Sequence, residues 1–221
     1  MQQYNIVPCM TAPIKLKINQ YSFAGKYISL WVPDEEMLQQ NFAENEGNTD
    51  VPFWARVWPS ALGMCRFLEE NTGLIQGKRV LEWGAGLGLP SLLSAHFAKE
   101  VLCTDCSTEA MELVCQSVAL NKLRNVNCAC FNWHSPEALP AFDVLLLSDI
   151  NYNPADFEVL IQRLEAYLQL GVLIIISTPQ RIMAKPFVEK LLAYCTFKTT
   201  VPITLSRQTT EIFIMQLQKQ G

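Results

Sequence analysis

Histidine is scarce, with two in the 221-residue chain, and of its eight cysteines only Cys103 and Cys106 have a Cys-x-x-Cys spacing. No second such pair and no histidine pair completes a set of four ligands, which argues against a metal site. Cys103, Cys128 and Cys130 fall within apolar, strand-like runs, where a free thiol packs as a small hydrophobe. No apolar run approaches the roughly 18 residues of a membrane span, and no basic-then-apolar leader opens the chain, so a cytoplasmic protein with no membrane partner is expected. Blocks of lysine and arginine are missing too, and the net charge is -4, which argues against a strong electrostatic grip on nucleic acid without excluding one. Internal repeats and low-complexity segments are absent, so no solenoid is expected. What is present is 50% hydrophobic and 17% charged residues, the balance of a globular chain long enough to bury a large core.

Glu82-Trp83-Gly84-Ala85-Gly86-Leu87-Gly88 is the most informative stretch. Val80-Leu81 lead into it as a buried strand would, and Leu89 to Ala95 continue as the first turns of an amphipathic helix. The glycines therefore make a tight strand-to-helix turn, of the kind that holds a nucleoside-bearing cofactor in an α/β sheet. A surface turn with no ligand is the alternative for the glycines taken alone. Val101 to Asp105 read as the next strand, and Asp105, about 20 residues beyond the first glycine, lies where ribose hydroxyls would be gripped.

That arrangement suits NAD as well as S-adenosyl-L-methionine, and three features favour the latter. The spacing is G-x-G-x-G, with leucine at position 89 where the dinucleotide pattern has its third glycine. Glu82, Asp105 and Asp149 would all end on one rim of the sheet, repelling a diphosphate and suiting a cation. The chain closes with strand-like runs at 197–205 and 211–217 joined by about five polar residues, too few for a helical crossover.

Further strands are expected near 14–18, 27–32, 79–83, 100–105, 126–131, 142–148 and 171–177, and helices near 60–70, 89–97, 108–120, 155–168 and 182–193. A short helix at 35–42 and a polar loop at 45–50 are expected between the N-terminal hairpin and the rest. The fold class is α/β: a Rossmann-like, doubly wound, mainly parallel seven-stranded sheet with a C-terminal antiparallel hairpin and a small N-terminal β-hairpin extension. The expected division is residues 1–50, hairpin and acidic loop, and 51–221, the main domain.

Ser148-Asp149-Ile150-Asn151-Tyr152 follows the apolar run Val144 to Leu147, so Asp149 emerges at the carboxyl edge beside the glycine turn. It either faces a ligand or caps the helix beginning near Asn153-Pro154. Trp54 and Trp58, in Phe53 to Ser60, are either a core stripe or, through a rigid Trp58-Pro59-Ser60 bend, a cover over the cofactor.

Phe23-Ala24-Gly25, Trp54-Ala55-x-x-Trp58-Pro59-Ser60, the glycine turn, Asp105, Asn121, Asn132-Trp133 and Asp149-x-x-Tyr152 occur in this order over most of the chain. Together they resemble the seven-strand protein-lysine methyltransferases of methyltransferase family 16. The resemblance implies transfer of methyl from S-adenosylmethionine to the amine of a protein lysine. It also implies that Glu82 and the backbone of Gly84, Ala85, Gly86 and Gly88 hold the methionine part, Asp105 the ribose and Trp133 the adenine. Trp58 and Ser148 would complete the pocket, and Asp149 and Tyr152 would line the path of the amine as catalytic residues. Asn132 departs from the aspartate frequent in the family, and the N-terminal segment is short. A small-molecule or RNA N-methyltransferase on the same fold, or a non-catalytic S-adenosylmethionine-binding module, remain as alternatives.

Overall fold

Apolar residues that alternate between two faces build the sheet, seen in a computed structural model that describes residues 15–34, 52–205 and 207–219. The helix and loop expected at 35–42 and 45–50 lie outside the described residues. The first two strands, β1 (Leu16–Phe23) and β2 (Lys26–Pro33), form an antiparallel hairpin turned at Ala24-Gly25, both at positive φ. The hairpin is tied to the main body through β2: Ile28 and Leu30 are fully buried. Asn121 accepts from the Ser29 N–H at 2.9 Å and donates to the Ser29 carbonyl at 2.6 Å, and Ser117 accepts from the Trp31 N–H at 3.0 Å. Side chains thus satisfy backbone groups along this edge of β2.

The main sheet contains β3 (Arg79–Trp83), β4 (Glu100–Asp105), β5 (Val126–Cys130), β6 (Val144–Ser148), β7 (Leu173–Pro179), β8 (Cys195–Leu205) and β9 (Gln208–Leu217), in the order β5-β4-β3-β6-β7-β9-β8. The first five are mutually parallel, and β9 runs antiparallel to both β7 and β8. Strand order reverses between β3 and β6, the kind of switch point where α/β sheets bind ligands beyond the carboxyl ends of their strands.

Successive residues face opposite cores. Val80, Val144, Leu146 and Ile175 pack with α1 (Pro59–Glu70), α2 (Leu89–Ser94) and α3 (Thr108–Leu120). Leu81, Trp83, Leu145, Leu147 and Ile176 pack with α4 (Phe157–Gln169) and α5 (Lys185–Leu191) on the other side.

The doubly wound reading holds, with local differences. The helix after the glycine turn is one and a half turns, ending at Ser94 rather than 97. The helical stretch expected at 182–193 is broken into short 3-10 turns flanking α5, and Pro186 fits because it occupies the first turn. The final hairpin is tighter than its polar residues suggested. The ladder continues to Leu205↔Gln208, because Thr209 and Thr210 are good strand formers and Thr204 and Thr209 share a 2.8 Å hydroxyl hydrogen bond.

Gly63 lets α1 lie close on β9, since a Cβ there would fall 2.7 Å from Ile212 Cγ2 and 2.9 Å from its Cβ. Alanine favours a helix by about 1 kcal/mol over glycine, but overpacking a core costs about 1–3 kcal/mol. We expect Gly63→Ala to lower the urea midpoint; an unchanged or raised midpoint would mean that the helix moves away without penalty.

Candidate functional site

The turn after β3 is held open by glycine and closed by a carboxylate. Gly84 and Gly86 have φ of 60° and 52°. A Cβ on Gly84 would lie 3.0 Å from Ile150 Cγ2, and one on Gly86 would lie 3.3 Å from the Trp54 carbonyl oxygen. Side chains are thus opposed both by the backbone conformation and by the segment packed against the turn. From the end of β4, Asp105 accepts the Gly86 N–H at 2.8 Å on one carboxylate oxygen and the Ser107 N–H at 3.0 Å on the other. The Ala85 N–H donates to the Thr104 carbonyl at 3.0 Å, a further tie between turn and strand.

Around the switch point lies a cavity of about 370 Å³. Its walls contain Gly84, Ala85, Gly86, Gly88 and Asp105 from the sequence-predicted cofactor set, with Trp58, Trp133 and Ser148 around them. Asp149 and Tyr152 line it as well, so the structure brings together ten of the eleven residues anticipated.

Glu82 is the exception, lying behind the turn and not among the residues that line the cavity. By strand alternation it shares the face of Val80, turned toward α2, and it is fully buried. One carboxylate oxygen accepts from the Ser91 N–H at 2.9 Å and the Ser91 hydroxyl at 2.5 Å. The other, Oε1, has no hydrogen-bond partner among the described residues. Burial pushes the carboxyl up to about 8, against the Ser91 bonds that favour the anion, and the nearby Asp105 charge adds to the rise.

Asp149 follows β6 at φ 59°, a conformation uncommon outside glycine but tolerated by aspartate. Its N–H continues the ladder to the Ser177 carbonyl at 2.9 Å. Helix capping, the alternative role for this aspartate, falls to Asn153, whose side-chain oxygen accepts from the Ala155 N–H at 3.2 Å. The Asp149 carboxylate instead meets the Arg181 guanidinium, Nη1 on Oδ1 and Nη2 on Oδ2, the latter at 3.0 Å. Below this pair, buried Asn151 accepts from the Thr178 hydroxyl at 2.7 Å, linking the loop to the end of β7.

Aromatic rings form the mouth. Phe53 lies 5.2 Å from the Tyr152 ring and 6.0 Å from Trp58, whose indole N–H donates to the Phe53 carbonyl at 2.7 Å. Burial, followed by nearby acidic groups, raises the Tyr152 phenol above its usual range, so it is neutral at physiological pH.

Sequence reasoning missed Arg181, which lines the cavity although it belongs to no motif. The available signal was topological: it stands two residues past the carboxyl end of β7, next to β6 in the sheet. Among the described residues no His/Cys/Asp/Glu group has the arrangement of a metal site, and no helix is long and apolar enough to cross a membrane.

A family model described as lysine methyltransferase matches residues 35–193. The human histone-arginine methyltransferase METTL23 is 34% identical over 108 residues, covering 46% of this chain and 57% of that protein. The protein-lysine N-methyltransferase EFM3 of Chaetomium thermophilum is 30% identical over 159 residues, 63% of this chain and 46% of its own. The chain thus spans about half the length of these curated relatives. In fold it is similar to the Thermus thermophilus 16S rRNA N2 G1207 methyltransferase RsmC, solved with AdoMet and guanosine. That match has a TM-score of 0.61 at 14% identity, covering 94% of this chain and 52% of RsmC. It is also similar to a putative RNA methyltransferase of Pyrococcus horikoshii, with a TM-score of 0.59 at 18% identity, covering 84% of this chain and 96% of that one.

Glu82 has a distinct signature in stability. Between about 4.5, its ordinary value, and about 8, the unfolded chain releases a proton that the folded chain keeps. Its contribution is therefore fully present at low pH and is lost as pH rises across that window. We expect Glu82→Gln to gain on the wild type from pH 5 to pH 8 in urea denaturation, by on the order of a few kcal/mol at most. A difference independent of pH would show that the carboxyl ionises normally.

Proposed function

Because the chain belongs to the lysine methyltransferase family, we propose that it transfers methyl from S-adenosylmethionine to a side-chain nitrogen of a protein, with lysine as the acceptor. The observation that carries this reading is the shared cavity, in which the Asp105-clamped glycine turn and the Asp149 carboxylate face the same space.

The residues fit the cofactor. Gly84 and Gly86 keep the turn clear of side chains, and Trp54, Trp58, Leu87 and Trp133 give the cavity largely apolar walls, suited to an adenosine flanked by a few polar contacts. In this reading the backbone of Gly84, Ala85, Gly86 and Gly88 holds the methionine part, Asp105 binds the ribose through lone pairs left by its two N–H bonds, and Trp133 lies against adenine. Trp58 and Ser148 complete the walls, and buried Glu82, behind the turn, supplies negative potential once the cationic cofactor favours its ionised form. When bound, the cofactor supplies an electrophilic methyl on a cationic sulfur.

The chain's own task is to deliver nitrogen. A lysine ammonium, near about 10.4 in water, has no lone pair and must lose its proton. Phe53, Trp58 and Tyr152 withdraw the side chain from water, which favours the neutral amine. Asp149 accepts hydrogen bonds from that amine, aims it, and stabilises the positive charge that develops as it is methylated. Neutral Tyr152 flanks the path and offers a hydroxyl.

An arginine acceptor is the second reading. It is favoured by the guanidinium already seated on Asp149 and by the histone-arginine activity named for METTL23. RNA is disfavoured because 17 basic residues face 21 acidic ones, and the RNA-related structural matches carry fold alone. A cytosolic setting belongs to this proposal and is supported by seven free cysteines among the described residues.

Incubation with tritiated cofactor and a cell lysate, divided between protease and nuclease, tests the class of acceptor. Protease-sensitive label, found as methyl-lysine after hydrolysis, is expected; methyl-arginine would select the second reading, and label confined to nucleic acid or small molecules would overturn both. Asp149→Asn, which tolerates positive φ, is expected to lower transfer by about 10²-fold or more while cofactor affinity stays within a few fold. Near-normal transfer in that variant would remove Asp149 from the mechanism.

A further inference from the structure

Resting on the reading of Asp149 as the acceptor-binding carboxylate, we propose that Arg181 sets acceptor specificity by exchange: its guanidinium occupies Asp149 until a cationic side chain replaces it. The pairing is two-pronged, with each terminal nitrogen of Arg181 on a different oxygen of Asp149. A guanidinium bound in this way covers the edge of the carboxylate that an incoming nitrogen needs.

The two partners are unequally held. The Asp149 side chain is 8% exposed, its backbone fixed by the ladder bond to Ser177, whereas the Arg181 side chain is 31% exposed. Arg181 stands on a tight turn, its N–H donating to the Pro179 carbonyl at 2.8 Å, just before Ile182 and Met183, which are 93% and 51% exposed. The anion is therefore the fixed member and the cation the movable one. Arg181 also has somewhere to go, because it lines both the main cavity and an adjoining one of about 360 Å³ bordered by Thr178, Gln180 and Val188.

Exchange accounts for selectivity through charge. Asp149 carries one cation before and after a protonated lysine or arginine side chain docks, so the buried carboxylate stays paired throughout the exchange; a docked lysine sheds its proton to solvent only afterwards, beside the cationic sulfur of the cofactor. A neutral group that displaced Arg181 would strand that charge, which is costly in a water-poor site. Cationic acceptors are thereby admitted and neutral ones refused, and the released guanidinium returns to solvent at the rim.

The test is a titration of the whole protein, saturated with S-adenosylhomocysteine so that no turnover occurs, with n-butylamine and ethylguanidinium as side-chain probes, followed by NMR. Since a competing closed state lowers apparent affinity by the fraction of open sites, Arg181→Gln is expected to bind both cations on the order of tenfold more tightly than the wild type. Arg181→Lys, which keeps the charge and loses the fork, is expected to fall between them, and uncharged n-butanol to bind none of the three. Equal cation affinities in wild type and Arg181→Gln, or weaker binding in the variant, would overturn the exchange and leave Arg181 as a fixed support. The affinity for S-adenosylhomocysteine alone tests the cofactor reading separately. Its absence from the wild type would strike that reading, whereas firm binding combined with indifferent cation affinities strikes only the exchange.

Discussion

Asp105 bonded through both carboxylate oxygens to main-chain N–H groups is the contact on which the rest of the site depends. One donor, Gly86, belongs to the turn after β3 and the other, Ser107, to the turn after β4, so a single side chain joins the carboxyl ends of neighbouring strands. Charge-assisted bonds of this kind are stronger than neutral ones. They hold the turn against Trp54 in a conformation that a side chain at Gly86 would oppose. The cavity exists because the chain between Gly84 and Gly88 is pinned at its edge and cannot fold inward to fill it.

Behind that turn lies an opposing tendency. Glu82 is buried on the face packed by α2, with only Ser91 to satisfy it, and its second oxygen is unpartnered among the described residues. A hydrophobic residue there would pack at less electrostatic cost, so the carboxylate is maintained against stability, as is common at functional sites. A cation in the cavity would relieve the strain by favouring the ionised form. Proton uptake at Glu82 and occupancy by a cationic ligand are thus linked, and each opposes the other.

Most of the fold could be read from the residues because the signals were local. Val80-Leu81 and Val144 to Leu147 are apolar runs that lead into polar chemistry, and the two-residue period decides which side chains reach each core. That same period puts Glu82 on the face of Val80, where α2 packs and Ser91 meets its carboxylate. The hairpin loop is shorter than the polarity of its residues suggests, because threonine prefers strands. Arg181 was illegible for a different reason. Its partner is 32 residues away in sequence, and only the adjacency of β6 and β7 brings them together.

Asp149 and Asn153 show how neighbouring polar residues divide the work. Both follow β6 and both can bond to free N–H groups at a helix start, yet Asn153 takes the cap while Asp149 turns to positive φ and faces the cavity. A carboxylate used as a cap would have its charge absorbed by the helix N-terminus. By leaving that role to a neutral amide, the chain keeps a full negative charge at the rim, next to the switch point between β3 and β6. Arg181 then becomes a necessity of the resting state, since an anion buried to this degree must have a partner whenever no acceptor supplies one. The anion and the cation are in this sense one device: the geometry that turns Asp149 toward the cavity is what requires a counter-charge beside it.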